Sequence, residues 1–178
     1  MTTPLPQSPR WAAAALRPLP LAPLSIALTA FARRLGADHP ALFRRLGVYG
    51  DARFVLVPTD LPLQILIEPR GGNAPRVHLS HRFLRGDARI TGPLSALLGM
   101  VHGAYDGDAL FFARDLVIEG DTAAVLALRN AIDDAELDLG AQVQAIAGRF
   151  KRPVQWAIAQ AEARTGFALH RFEETAQW

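Results

Sequence analysis

The sequence predicts an α+β domain, with a five- or six-stranded, mainly antiparallel sheet covered by helices that enclose a hydrophobic cavity. Three observations lead there. Segments in which apolar and polar residues alternate cluster between residues 54 and 119. Stretches of helical apolar spacing flank and interrupt that cluster without alternating strand by strand, which argues against a parallel βαβ array. The chain has 178 residues, half of them hydrophobic and a fifth charged, enough for one sizeable core and too few for two ordinary domains.

Residues 1–10 contain three prolines and little to bury, and residues 1–21 read as a flexible N-terminal arm. Leu24, Leu28, Phe31 and Leu35 then recur at helical spacing, with Gly36 as a stop signal. Asp38 is placed to cap a second helix that tolerates Pro40 in its first turn, carries Leu42, Phe43 and Leu46 on its apolar side, and ends at Gly47. The two form a short helical hairpin.

Beyond Gly50 the period changes. Phe54–Val57 is apolar and β-branched, and Leu63, Ile65 and Ile67 alternate with Gln64, Leu66 and Glu68. Arg70-Gly71-Gly72-Asn73 is a turn, Val77 and Leu79 mark the next strand, and Ala88 and Ile90 the one after, stopped by Gly92-Pro93. Leu94, Leu97, Leu98 and Val101 form a helical stripe. Leu110–Ala113 and Leu116–Glu119 read as a hairpin of two strands. Asp121 caps a helix lined by Val125, Leu128 and Ile132. The main domain spans residues 22–140, and residues 141–178 form a helical extension kinked near Pro153.

Charge is unevenly distributed. The chain carries +2 overall, but residues 1–60 carry +4 and residues 106–140 carry −7. A surface polarised in this way, with so small an excess, gives no nucleic-acid footprint. The acidic run either docks a basic partner surface or is a solvated helix end. Six arginines lie between residues 10 and 45 against one acid, Asp38. Arg33, Arg34, Arg44 and Arg45 in particular either end their helices, where cations suit the dipole, or lie on an anionic membrane leaflet. The longest charge-free stretches, Pro18–Ala32 and Ile90–Tyr105, fall short of the roughly 20 residues of a spanning helix.

Catalytic and metal chemistry finds no footing. The absence of cysteine excludes disulfides, thiol nucleophiles, and thiolate zinc or iron–sulfur ligation by this chain. There is no Gly-rich phosphate loop and no serine flanked by glycines. His78 and His81 stand three apart on a strand, so they point to opposite faces and make a poor metal pair. His102 suits a helix end, and Gly107 between Asp106 and Asp108 favours a turn over a carboxylate pair. No enzyme, cofactor or metal is expected. Apolar side chains, by contrast, are in surplus. Leu94–Val101, Phe111-Phe112 and the hairpin either fill a dense core or wall an apolar cavity. The expected lipid-binding residues are Ile65, Ile67, Leu97, Leu98, Val101, Phe111, Phe112 and Phe31. Which of Phe111 and Phe112 points inward is open, since neighbours on a strand face opposite ways.

Residues 61–139 resemble the sterol carrier protein type 2 domain. The resemblance is carried by Asp87-Ala88-Arg89-Ile90-Thr91-Gly92, the helix that follows Pro93, Ala109–Leu116, and Ile118-Glu119-Gly120-Asp121 leading into a helix. A narrower likeness, in Asp60-Leu61-Pro62-Leu63, Arg114-Asp115-Leu116 and the long stretch Leu126–Leu137, is to the UbiT family of accessory factors in oxygen-independent ubiquinone biosynthesis of bacteria. The resemblance implies a lipid-binding fold with no catalysis of its own. It implies an isoprenoid quinone precursor or another lipid as ligand, and UbiU–UbiV-like proteins, which carry the iron–sulfur chemistry, as partners. A cytoplasmic location with peripheral contact at the inner membrane and a homodimer are further expectations. The alternatives are a general phospholipid or fatty-acyl carrier and a structural adaptor whose cavity is filled by its own side chains.

Overall fold

The computed structural model describes residues 17–18, 20–102 and 116–135. The first element is helix α1, Leu21–Asp38. It follows Pro18 and Pro20 and runs through Gly36 without interruption. What stops it is Pro40, which pushes His39 out of helical conformation at φ −127°, while the His39 amide still bonds to the Leu35 carbonyl at 2.8 Å. Gly36 is therefore not a stop. A Cβ there would sit 2.8 Å from the Phe43 ring, so glycine is required by close packing. Asp38 does not cap the second helix either. It faces Arg34 at 3.7 Å, one turn back, and α2, Pro40–Arg45, starts on its own proline with no side-chain cap. Gly47, at φ +53°, ends α2 as expected.

Among the described residues five strands form one sheet: β1 Phe54–Pro58, β2 Gln64–Glu68, β3 Arg76–Ser80, β4 Ala88–Gly92 and β5 Val117–Gly120. Their order is β3-β2-β1-β4-β5. Neighbours are antiparallel except β1 and β4, which run parallel. Helix α3, Leu94–His102, follows β4, and α4, Thr122–Ala135, follows β5. The Asp121 carboxylate accepts the Ala124 amide at 3.0 Å, the N-cap expected from sequence. The second strand expected at Leu110–Ala113 and the helical extension 141–178 lie outside the described residues.

Register decides the faces. Phe54, Ile67, Val77 and Ala88 pair across one row, and Leu56, Ile65, Leu79 and Ile90 across the next, so all eight share a face. That face carries the core. Phe54, Ala88 and Ile90 are closed over by Leu42, Phe43 and Leu46 of α2, Ala96 and Leu97 of α3, and Ala124, Val125, Leu128, Ala131 and Ile132 of α4. A second cluster joins Leu63 and Leu79 to Leu21, Leu24 and Leu28 of α1, with Ile65 against it. The apolar side of the helical hairpin is thus used inside the domain: Leu42 and Phe43 are buried, which removes them from any membrane contact.

The outer face is covered over its β1–β4 half by the crossover 81–87. The Leu84 amide donates to Gln64 Oε1 at 3.0 Å, and the Arg89 guanidinium donates to the Leu84 carbonyl and stacks 4.3 Å from the Phe83 ring centre. Gly86 passes so close to Val55 that a Cβ would sit 2.7 Å from its methyl carbon.

Two contacts fix the frame. At the open edge of β3, the Thr29 hydroxyl accepts from the Val77 amide at 3.0 Å and donates to the Val77 carbonyl at 2.9 Å. One turn earlier the Ser25 hydroxyl accepts from the Leu79 amide and donates to the Leu21 carbonyl, both at 2.9 Å. At the opposite end of the sheet, Asp87 binds the Arg53 amide at 2.8 Å and its guanidinium at 3.4 Å, while the Asp87 carbonyl accepts the Asp121 amide at 2.9 Å. Gly120, at φ +84°, passes beneath: a Cβ there would stand 2.4 Å from that carbonyl oxygen.

Thr29→Val should leave both Val77 backbone groups unpaired and cost about 1–3 kcal/mol of stability, read as a lower denaturation midpoint at unchanged m-value. Asp87 gives a pH signature. The bond from the Arg53 backbone amide, and then the Arg53 side chain, hold its carboxyl below the ordinary value of 3.8. A depressed folded value means the contribution is complete above that ordinary value and is lost as pH falls through the folded one. The pair is half exposed, so Asp87→Asn should cost only about 1 kcal/mol at neutral pH. The gap between wild type and variant should then close on acidification below pH 3.8, followed by urea melts from pH 7 downward.

Candidate functional site

Two places on the sheet could hold a ligand. The first is the core face around β2 and α3, where the expected lipid-binding residues were drawn. Ile65 and Ile67 lie there side by side, two apart on β2, both half-buried. Ile67 packs towards the main core and Ile65 towards the α1 cluster, so the pair spans the seam between the two. Leu98 is half-buried on α3, whereas Leu97, 3% exposed, is already seated in the core. Phe31 is half-buried on α1. Val101 belongs to the last turn of α3, with its side chain outside the described set, and Phe111 and Phe112 lie outside the described residues. The structure therefore places Ile65 and Ile67 on the core face of the sheet and Leu97 in the core, and does not join Leu98, Phe31 or the rest of the expected wall to them.

This face holds one polar group that sequence reasoning passed over. Ser95, in the first turn of α3, is 3% exposed, and its hydroxyl has no hydrogen-bond partner among the described residues. The helix start itself is satisfied, because the Leu94 amide donates to the Asp60 carboxylate at 2.9 Å. A buried hydroxyl left unpaired costs about 1–3 kcal/mol. It is also a ready donor for a polar group on a ligand lodged beside α3. The only signal in the sequence is a lone serine inside an apolar stripe.

The second place is a groove of about 720 Å³ on the outer face, between α1 and the β2–β3 half of the sheet that the 81–87 crossover leaves open. Ile26, Ala30 and Arg33 of α1 form one wall, and Leu66, Glu68, Arg76 and His78 the floor. The Ser25 and Thr29 hydroxyls at its seam are taken up by the β3 backbone.

The charged residues singled out in the sequence divide. Arg33 lies on this groove, Arg34 faces Asp38, Arg44 is exposed, and Arg45 pairs with Asp134 of α4, tying the hairpin to the last described helix. Asp133 likewise faces Arg129 at 3.5 Å, while Glu136 and Asp138 lie outside the described residues. His81 binds the Pro62 carbonyl through Nδ1 at 2.6 Å and takes no part with His78. Among the described residues no group of three or more metal-ligating side chains comes together, and no helix is long and apolar enough to cross a membrane.

With this geometry in hand, comparison with known proteins is informative about the central segment. Residues 50–133 match the SCP-2 sterol transfer family. No curated protein sequence matches significantly. Solved structures similar to the chain include a "UbiJ-SCP2 Ubiquinone synthesis protein" (18% identity, 67% of this chain and 93% of that one, TM-score 0.49). A sterol carrier protein 2 crystal structure is similar at 15% identity, covering 62% and 94%, with TM-score 0.49. A possible sterol carrier protein of Thermus thermophilus is similar at 15% identity, covering 61% and 82%, with TM-score 0.45.

Ser95→Ala separates a structural from a ligand-facing hydroxyl. In lipid-free protein it should raise stability by about 1 kcal/mol, since no bond is lost and an unpaired buried group disappears. In protein carrying a ligand bonded to that hydroxyl it should lower occupancy. Thermal melts before and after delipidation read both effects.

Proposed function

Since residues 50–133 match the SCP-2 sterol transfer family, we propose that this protein is a non-catalytic lipid carrier, and that its ligand is a polyprenylated quinone precursor presented to hydroxylating partners. The observation that carries the first half is the family match over the whole sheet. The second half rests on the sequence likeness to the UbiT family, above all in Leu126–Leu137. The apolar residues assigned to the ligand in this reading are Ile65, Ile67, Leu97, Leu98, Val101, Phe111, Phe112 and Phe31.

The physical need for such a carrier is simple. Each buried methylene gains about 0.8 kcal/mol over water, so a polyprenyl tail does not leave a membrane unaided. Moving the tail from bilayer to an apolar pocket changes little, so a carrier can both load and unload. The ring, being polar, stays near a hydroxyl such as that of Ser95 and accessible to an enzyme. On this reading UbiU–UbiV-like proteins are the partners. The exposed arginines Arg33 and Arg44 of the hairpin are the groups left for an anionic leaflet, while Arg34 faces Asp38 and Arg45 is held by Asp134.

Extraction of the full chain purified from cells, followed by lipid mass spectrometry, tests the reading. An isoprenoid with a hydroxylated or unsubstituted aromatic ring, near one per chain, is the expected result. Phospholipid or fatty acid alone would replace the quinone reading with the general carrier. Absence of any lipid would leave the self-filled adaptor. The double variant Ile65→Gln with Leu98→Gln should lower the recovered lipid several-fold while the far-ultraviolet circular dichroism stays unchanged, because both side chains are half-buried and their loss leaves the main core intact.

A further inference from the structure

The groove on the outer face is built by register. Thr29 is pinned to Val77, and its neighbours on the strand, Arg76 and His78, point to the opposite side of the sheet from Val77. Ile26, Ala30 and Arg33 recur at four and three residues along α1 and so share one side of the helix, turned past the edge towards those two residues. Leu66 lies directly opposite His78 and Glu68 directly opposite Arg76. Glu68 nevertheless contacts Arg70, at 3.5 Å, and forms no described ion pair with Arg76, although its carboxylate also lines the groove. Six described arginines have a carboxylate: Arg34, Arg45, Arg53, Arg70, Arg89 and Arg129. Arg33 and Arg76 have none among the described residues, and both reach into the same groove. Between them lies apolar surface: Leu66 on the floor, Ala30, and Ile26, which is 70% exposed.

Two guanidinium groups without an ion pair among the described residues, lining one groove with Ile26, Ala30 and Leu66, match one ligand chemistry. We propose that this groove binds an amphiphilic anion, a carboxylate or phosphate on an apolar body, with Arg33, Arg76 and His78 receiving the anion and Ile26, Ala30 and Leu66 the apolar part. Guanidinium forks suit both anions because each offers paired oxygens to paired N–H donors. The site lies on the face of the sheet opposite the core, so it is distinct from the residues assigned to the carried lipid and does not rest on that reading. The anion can belong to a soluble metabolite-sized molecule or to a lipid headgroup at a bilayer surface, and the two sources share this recognition.

The test is a ¹⁵N-edited NMR titration of the full chain with decanoate below its micelle concentration, with decyltrimethylammonium as the oppositely charged control. Decanoate should shift the amides of Ala30, Leu66, Val77 and His78, and the ammonium should not. Arg33→Gln combined with Arg76→Gln should weaken decanoate binding about tenfold or more, whereas Arg44→Gln should leave it unchanged. All three side chains are exposed, so the variants should melt at the wild-type temperature. The same proteins are floated with phosphatidylcholine vesicles, plain or containing roughly a third phosphatidylglycerol. Flotation that needs the anionic lipid, Arg33 and Arg76, without a decanoate response, assigns the headgroup as the source. Shifts confined to the core face, equal shifts with the ammonium, or no response to either probe would overturn the site. Lipid recovered by mass spectrometry should be the same for wild type and the double variant, so a failure here and a failure of the carrier reading are told apart.

Discussion

An α-helix rises about 6 Å over four residues, and a strand advances about 6.7 Å over two. That near match lets Ser25 and Thr29 of α1 sit opposite Leu79 and Val77 of β3, each hydroxyl meeting the backbone of the strand's open edge. An unprotected edge strand is a template for pairing with another chain, and its backbone groups are costly to leave unpaired away from water. Here a helix completes the ladder. Everything on α1 is then assigned by angle. The leucines at 21, 24 and 28 turn to the core face, the hydroxyls to the edge, and Ile26, Ala30 and Arg33 to the outer face. One helix closes a sheet, seals a satellite core and walls a groove because two hydroxyls fix its rotation.

The strands and helices of the central domain were readable in the sequence because burial on one face imposes a period. Val77 and Leu79, or Val125, Leu128 and Ile132, announce themselves by spacing alone. The motif that carries the family resemblance was readable for a different reason. Asp87 and Gly120-Asp121 occupy a corner where three chain segments meet, with a carboxylate on the Arg53 amide and a glycine under a carbonyl. Few residue types fit that corner, so the motif reports a folding constraint and carries no information about ligand. Ser25 and Thr29 stayed illegible because a hydroxyl within an apolar helix looks like an interruption until its partner, 54 or 48 residues away in the chain, is known. Gly36 misled for the same reason. Its meaning is the Phe43 ring beside it, and only the fold brings the ring there.

Charge shows a similar division between pattern and placement. The sequence has a basic start and an acidic stretch, which suggests two surfaces for two partners. Folding brings part of each against the other: Arg45 of α2 meets Asp134 of α4. An exposed pair of this kind adds little stability, and its effect is to neutralise both patches locally. The apolar half of the hairpin is buried by the same packing, with Phe43 held between Gly36 and Gly72, either of which would clash with it if it bore a Cβ. A membrane-facing hairpin would need those apolar residues outside. Two cations without an ion pair among the described residues end up on the outer face instead, where Arg33 and Arg76 come from segments that sequence reasoning had kept apart.

The two faces of the sheet therefore make different demands on any ligand that exchanges. On the outer face, entry to the groove breaks no contact, because its walls are the exposed sides of α1 and of the β2–β3 strands. On the core face, access by swinging α1 outward would strip Val77 and Leu79 of three backbone bonds together, at about 1–3 kcal/mol for each group left unpaired. Displacing α2 would undo Phe43 and Leu46, of which Leu46 is among the most deeply buried side chains described. In the described part of helix α3, the start is held by Asp60, Ala96 and Leu97 are seated in the core, Leu98 is half-buried, and the hydroxyl of Ser95 has no partner among the described residues. The edge that Ser25 and Thr29 hold shut is thus the rigid side of the core face.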